Sequence, residues 1–325
     1  MFKRSIGKIR GLQQCATPNG KFAILALDHR NNLRHLLHIQ DQDPNADERM
    51  IAFKKDVVKA LANTCSAFLL DPLYGAAQNI VSQALPGNCG LLVALEETGY
   101  TGGPSARESQ ILPDWSVAKV KRMGGSAVKL LVYYHPESPT RTHIEDLISR
   151  VANDCQMADL PLFLEVLSYS LDPLQKKLEG NERMDVILKS AEKLTPLGAD
   201  VLKAEFPLDM NTEKGFDNWE AACKELTQKS KIPWILLSAS VDFEIFLQQV
   251  KAASMAGAAG VAAGRAVWKE AADLSGQDQI NFLQNIAQQR MRTLTELVDA
   301  LAAPWFTGFE ETQIDKEWFK TYPEK

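Results

Sequence analysis

Short apolar runs alternate along this chain with segments in which apolar residues recur every three or four positions. The runs are FAILALD (22–28), AFLLDP (67–72), LLVALEE (91–97), AVKLLVYY (127–134), LFLEVLS (162–168), DVLKAEF (200–206), WILLSAS (234–240) and GVAAG (260–264). Each reads as a buried strand. Helical periodicity fills the gaps. In ADERMIAFKKDVVKALANT, Ile51, Val57, Val58 and Leu61 make one stripe; in DFEIFLQQVKAASMAGA, Phe243, Phe246, Leu247 and Val250 do, with Asp242 placed as the N-cap. Eight consecutive strand–helix units predict an α/β chain folded as a (β/α)8 TIM barrel. A doubly wound sheet is the alternative, and the lack of GxGxxG after the first strand counts against it. The helix over 3–14 is expected to plug the N-terminal end of the barrel. The helix over 277–302 and the aromatic tail lie outside the repeat and pack on the outer helices or on a second subunit, so a homodimer stays open. No low-complexity linker divides the chain, and residues 1–325 are read as one domain.

Strand alternation decides which residues face the barrel axis. On the sixth strand Val201, Lys203 and Glu205 share one face, and Leu202, Ala204 and Phe206 share the other. The bulky apolar set should meet the helices, which turns Lys203 inward. The same parity turns Lys129, Glu165 and Asp28 inward on the fourth, fifth and first strands. In such barrels chemistry sits at the C-terminal strand ends, and these ends are polar: Asp28-His29-Arg30, Asp71, Glu96-Glu97, Tyr133-Tyr134, Ser238 and Gly264-Arg265.

A buried lysine is costly unless paired or uncharged. A lysine amine with its free pKa near about 10.4 is a poor nucleophile at neutral pH; desolvation and a neighbouring cation lower that value, and Lys129 is placed to be that cation. A neutral Lys203 can attack a ketone and form an iminium, an electron sink for C–C cleavage. Glu165 or Asp28 then moves the protons. This is Schiff-base aldolase chemistry, for which no cofactor or metal is expected. Ser238, Gly264 and Arg265, at the ends of the last two strands, form a candidate phosphate site at the start of a helix, so a phosphorylated ketone is the expected substrate.

The composition narrows the alternatives. The chain has 325 residues and a net charge of −5, with no basic excess to hold a nucleic-acid backbone or an anionic membrane. No stretch approaches the roughly 20 apolar residues of a membrane span. The N-terminus lacks signal-peptide features, and the five cysteines are scattered without a CxxC pair. A cytoplasmic protein is expected. Each sharp reading has a structural counterpart. Lys203 and Lys129 can be ordinary ion-pair partners; Asp71, followed by Pro72, reads better as a turn cap; Glu96 and Glu97 are adjacent, so at most one faces inward. The glycine-rich segment 99–114 is either a lid or a plain surface loop.

The set ALDHR (26–30), LLDPLYG (69–75), EETGY (96–100), VKLLVYYHP (128–136), FLEVLSY (163–169), VLKAEFP (201–207), WILLSAS (234–240) and AAGRAVW (262–268) resembles the class I tagatose-1,6-bisphosphate aldolases. It is also similar to the related class I aldolases that cleave 6-deoxy-6-sulfofructose 1-phosphate. The resemblance spans nearly the whole chain, one motif per strand. It implies a lyase that releases dihydroxyacetone phosphate, with Lys203 as the Schiff-base lysine, Glu165 as the main acid/base, Lys129 and Asp28 lining the site, and Ser238, Gly264 and Arg265 on the 1-phosphate. Two departures stand out: His29 where the family usually has glutamine, and Ser240 where it usually has glycine. His29 is expected near the distal end of the substrate, with Arg30 gripping the distal anion and Arg107 as a weaker candidate. A deoxyribose-phosphate type aldolase is a more distant reading, and a sugar-phosphate-binding barrel without turnover is the reading from another class.

Overall fold

The computed structural model of the chain describes residues 4–175, 177–210, 215–239, 241–309 and 313–322. Ten strands are present in these residues: β1 Phe22–Leu27, β2 Ala67–Leu70, β3 Gly90–Ala94, β4 Thr101–Gly103, β5 Ala106–Glu108, β6 Ala127–Tyr134, β7 Leu162–Ser168, β8 Val201–Ala204, β9 Trp234–Leu237 and β10 Gly260–Ala263. Eight of them pair in parallel and close in the order β1-β10-β9-β8-β7-β6-β3-β2. This is the expected (β/α)8 barrel. Where an expected strand runs past the observed one at its C-terminal end, the chain has left the ladder and turns polar side chains over the mouth. Asp28, Glu96, Ser238 and Gly264 all sit in such positions. Ser240 lies outside the described residues.

Alternation sorts the strand residues into two apolar shells. Leu25, Leu27, Val128, Leu130, Val132, Leu162, Leu164, Val166, Leu202, Ala204 and Phe206 pack outward against the helices. Phe22, Ile24, Leu69, Leu92, Phe163, Val201 and Ile235 fill the lower half of the barrel interior. Each fully buried large apolar side chain contributes roughly 1.5–3 kcal/mol, so these shells stabilise a scaffold whose upper interior is charged.

The floor is closed by the helix Ile6–Cys15, where the expected plug covered 3–14. Ser5 caps it by accepting from the Lys8 N–H (3.3 Å). Leu12 and Cys15 enter the lower barrel cluster, joined by Trp305 from beyond the last long helix. Gly11 lets the helix lie flush on the barrel, since a Cβ there would fall 2.3 Å from the Ser126 carbonyl oxygen.

The C-terminal helical run is broken into Gly276–Asn281, a π-helical stretch Phe282–Ala287, and Gln288–Leu301. The last piece packs on the chain's own Phe243–Met255 helix, and Gln288 and Thr295 donate to the Ala60 and Thr64 carbonyls (2.6 and 2.7 Å). Asp242 does occupy the N-cap position of Phe243–Met255, but makes no capping hydrogen bond. Its carboxylate pairs with Lys269 instead (2.8 Å). The buried face of Ala46–Leu61 keeps Val57, Val58 and Leu61, replaces the expected Ile51, which is only half-buried, with Met50, and adds Phe53 and a fully buried Lys54. Lys54 pairs with Asp71 and donates to the Leu27 carbonyl (2.9 Å). The other Asp71 oxygen accepts from the Leu73 and Tyr74 N–H groups (3.0 and 2.8 Å), the turn cap expected of an Asp-Pro step.

Segment 99–114 holds the short antiparallel hairpin β4–β5. Its base is tied down by a bridge between Glu96 and Ile111 and by Glu97 N–H to Gln110 O (2.8 Å) and Leu112 N–H to Leu95 O (3.0 Å). Among the described residues, no helix is long and apolar enough to cross a membrane.

Candidate active site

The strand register assembles the site. Glu165 on β7 is the direct partner of Lys203 on β8, and Lys129 on β6 stands opposite Phe163, one inward position below Glu165. All three side chains point into the barrel. Glu165 Oε2 lies 2.7 Å from Lys203 Nζ and 2.9 Å from Lys129 Nζ. Lys129 also contacts Asp28 Oδ2 (2.7 Å) and Glu96 Oε1 (2.6 Å). The four inward residues predicted by parity thus converge on one point.

Glu96 completes the cluster; the sequence reading allowed at most one of Glu96 and Glu97 to face inward without choosing between them. Its second oxygen accepts from the Leu131 N–H (3.0 Å). The signal was present: Leu91, Val93 and Leu95 face the helices, so parity carried one step past β3 turns Glu96 inward. The same contact reassigns Lys129. Three carboxylates neutralise it, so it is not the bare cation expected beside Lys203.

The charge states follow from these contacts. Burial opposes ionisation of Lys129, but Asp28, Glu165 and Glu96 outweigh it and hold its pKa well above the ordinary value. Burial likewise opposes charge on Glu165, and the two ammonium groups overcome it, leaving its pKa below the usual carboxylate range. Asp28 behaves the same way, with burial outweighed by Lys129 and Lys203. Lys129, Glu165 and Asp28 are thus held in their charged forms at neutral pH, and Glu165 is the carboxylate nearest to Lys203.

These groups line a cleft of about 650 Å³ at the C-terminal mouth. At the β9–β10 side, the Gly264 N–H donates to Ser238 Oγ (2.8 Å). That N–H is therefore already engaged. The helix after β10 spans only Arg265–Trp268, so few aligned peptides contribute a dipole. Of the residues read as a phosphate site, Arg265 has its Nε buried with no partner among the described residues. Burial lowers its pKa, opposed by more distant Asp28 and Glu165. His29 belongs to this same corner: its Cε1 would stand 3.3 Å from a Cβ on Gly264, and its ring packs edge-on against Trp268 (5.2 Å). This corrects the expectation that His29 lies near the distal end. β1 pairs with β10, so the residues following these strands are neighbours. Burial drives the His29 pKa down to about 3, leaving a neutral imidazole whose Nδ1 has no hydrogen-bond partner among the described residues.

Arg30 is also placed differently from expectation. Its guanidinium donates to the Glu96 carbonyl (2.8 Å) and lies 3.8 Å from the Glu96 carboxylate. It braces Glu96 through Nη2, while its Nη1 is buried at the cleft with no partner among the described residues. Glu205, one inward position above Lys203, accepts from Ser168 N–H and Oγ (2.7 and 2.6 Å) and pairs with Arg183 (3.3 Å).

The profile of the DeoC/LacD family aldolases matches residues 22–270. The Tagatose 1,6-diphosphate aldolase 2 of Enterococcus faecalis is 33% identical, over 94% of this chain and 97% of that protein. The protein of the same name from Streptococcus mutans is 32% identical, over 92% and 96%. Among solved structures, an archaeal fructose 1,6-bisphosphate aldolase superposes with a TM-score of 0.60 at 22% identity, over 89% of this chain and 98% of that one; at that identity the likeness concerns the barrel. With the profile over most of the chain and near-full-length relatives above 30% identity, the chain belongs to the DeoC/LacD family of aldolases.

Proposed function

We propose that this protein is a Schiff-base aldolase that cleaves a ketohexose 1,6-bisphosphate, tagatose 1,6-bisphosphate first among them, to dihydroxyacetone phosphate and glyceraldehyde 3-phosphate. The observation that carries the reading is the pairing of Lys203 with Glu165 at 2.7 Å, inside a cleft that also holds an unpaired guanidinium. Lys203 first passes its ammonium proton to Glu165, and the freed amine adds to the C2 carbonyl, whose oxygen takes that proton to give the carbinolamine hydroxyl. Glu165 then accepts a second proton from the nitrogen and delivers it to that hydroxyl, which leaves as water and gives the iminium. The iminium withdraws electrons from C3. When a carboxylate takes the C4 hydroxyl proton, the C3–C4 bond breaks, its electrons enter the iminium to give an enamine, and the aldehyde departs. Protonation at C3 and hydrolysis release dihydroxyacetone phosphate and restore Lys203. Lys129 keeps Glu165 and Asp28 ionised between turnovers, while Arg265 and Ser238 hold the 1-phosphate. The test is cleavage of tagatose 1,6-bisphosphate in the presence of a chelator, followed through triose phosphate formation. Turnover that persists supports the proposal. A protein that binds the sugar bisphosphate but releases no triose phosphate would instead be a binding barrel.

A further inference from the structure

The carboxylate cluster has no charge to spare for a second anionic end of the substrate. Of the cations lining the cleft, Lys129 and Lys203 pair within that cluster, Arg30 has Glu96 at 3.8 Å and Arg183 has Glu205 at 3.3 Å. Among the described residues this leaves Arg265, Arg107 and the exposed Lys177 lining the cleft without a carboxylate in ion-pair range.

Arg265 and Arg107 stand on opposite sides of the mouth. Arg265 follows β10. Arg107, on β5, rests over Tyr133 of β6, and β6 and β10 are four strands apart in a ring of eight, the farthest separation possible. The Lys203–Glu165 pair, on β8 and β7, lies between them. A ketose bonded through C2 to Lys203, with its 1-phosphate at Arg265, runs its C3–C6 chain toward the β6 side.

Arg107 is also held ready. Its guanidinium carbon lies 4.6 Å from the ring centres of Tyr100 and Tyr169 and 5.6 Å from that of Tyr133. Its Nε donates to Pro104 O (3.1 Å). Its backbone N–H donates to Tyr169 Oη (3.4 Å), and its carbonyl accepts from Thr140 Oγ1 (2.9 Å). Tyr169 is in turn fixed by donating to Ser138 Oγ (2.7 Å). The terminal Nη donors have no protein partner among the described residues. Three aromatic faces and one side-chain hydrogen bond order the long side chain, and two backbone hydrogen bonds fix its base, before any ligand arrives, which removes much of the entropic cost of binding an oxyanion with its fork of N–H groups.

Building on the aldolase reading, we infer that Arg107 binds the anionic group at the far end of the substrate, carbon 6 of a ketohexose bisphosphate. It selects acceptor aldehydes that end in a tetrahedral oxyanion, phosphate or sulfonate. The experiment runs the reaction in the synthetic direction, with dihydroxyacetone phosphate as donor and glyceraldehyde 3-phosphate, sulfolactaldehyde or uncharged glyceraldehyde as acceptor. The readout is the ratio of kcat/KM for each anionic acceptor to that for glyceraldehyde. Arg107→Met keeps bulk against the tyrosines and removes the charge; it should lower the ratio by about 30-fold or more, with Arg107→Lys falling less. The acceptor whose advantage vanishes in Arg107→Met identifies the anion. An unchanged ratio in Arg107→Met, an equal loss for charged and uncharged acceptors, or a collapse produced by Lys177→Gln instead would each overturn the inference. Borohydride trapping with dihydroxyacetone phosphate alone does not involve the distal end. An adduct with an unchanged ratio therefore removes only the Arg107 assignment, whereas a missing adduct removes the aldolase reading beneath it.

Discussion

Strand β8 carries a buried ion cluster at each end, and the two do different things. At its foot, just before the strand, Asp200 takes Lys8 Nζ (2.9 Å), Arg4 Nε (3.4 Å) and the Leu162 N–H (2.9 Å). At its top, Lys203 meets Glu165. Lys8 and Lys203 are 3% and 5% exposed, so burial does not separate them. Surroundings do. The foot cluster ties the plug helix to the barrel wall, and Lys8 does not line the cleft. The top cluster packs Lys129 and Lys203 against Asp28, Glu96 and Glu165 and opens into that cleft. A lysine sealed against one carboxylate holds the fold together. A lysine sharing a carboxylate with a second ammonium, at a surface that a substrate reaches, is placed for proton transfer.

Substitutions can break this contrast. Lys203→Met should cost at least ~10⁴-fold in kcat, because no other amine is placed to carry the iminium. Its thermal midpoint should change little, since Lys129 still compensates Glu165. A large loss of stability with activity retained would make Lys203 the structural member of the pair. Glu165→Gln removes the proton acceptor next to Lys203, and a kcat loss of roughly 10²–10⁴-fold is expected; steady-state cleavage assays at neutral pH read it directly. Lys8→Met should do the reverse of Lys203→Met. Leaving Asp200 with Arg4 as its one remaining cation should lower unfolding free energy by about 3 kcal/mol, measured by urea denaturation, while kcat per folded molecule stays near that of the parent.

The last effect, confined to acid pH and leaving the neutral-pH contrast untouched, concerns His29. Its pKa in the folded chain, about 3, lies below the unfolded value of about 6.5. The unfolded chain therefore binds a proton that the folded chain does not. The stability this group contributes is present above pH ~6.5 and is lost as pH falls toward 3, at up to ~1.4 kcal/mol per pH unit. His29→Gln should remove that part of the acid slope. Parallel acid profiles for the two proteins would show that His29 is not held neutral by the fold.

Much of the site could be read from strand parity alone. Lys203, Glu165 and Lys129 lie within strands whose apolar residues fix the outward face, so their direction follows from their neighbours. Legibility fails where the chain leaves the ladder. Arg30 and His29 follow the end of β1, where alternation no longer applies, and their partners, Glu96 and Gly264, come from other strands. The foot cluster escaped because Lys8 and Asp200 are 192 positions apart. The β4–β5 hairpin has strands of three residues each, with Thr101–Gly103 exposed, so it shows no period to detect. The short helix after β10 looked longer because AAGRAVWKEA reads as one helical run, yet it tightens to a 3-10 turn at Lys269–Asp273.

The central claim is that Lys203, and not Lys129, is the amine that bonds to substrate. Incubation with dihydroxyacetone phosphate and borohydride, followed by peptide mass spectrometry, tests it in one step, because reduction fixes the iminium as a stable amine. The account predicts one adduct, on Lys203, absent from Lys203→Met. An adduct on Lys129, or none on either lysine while the ketone phosphate still binds, would contradict it.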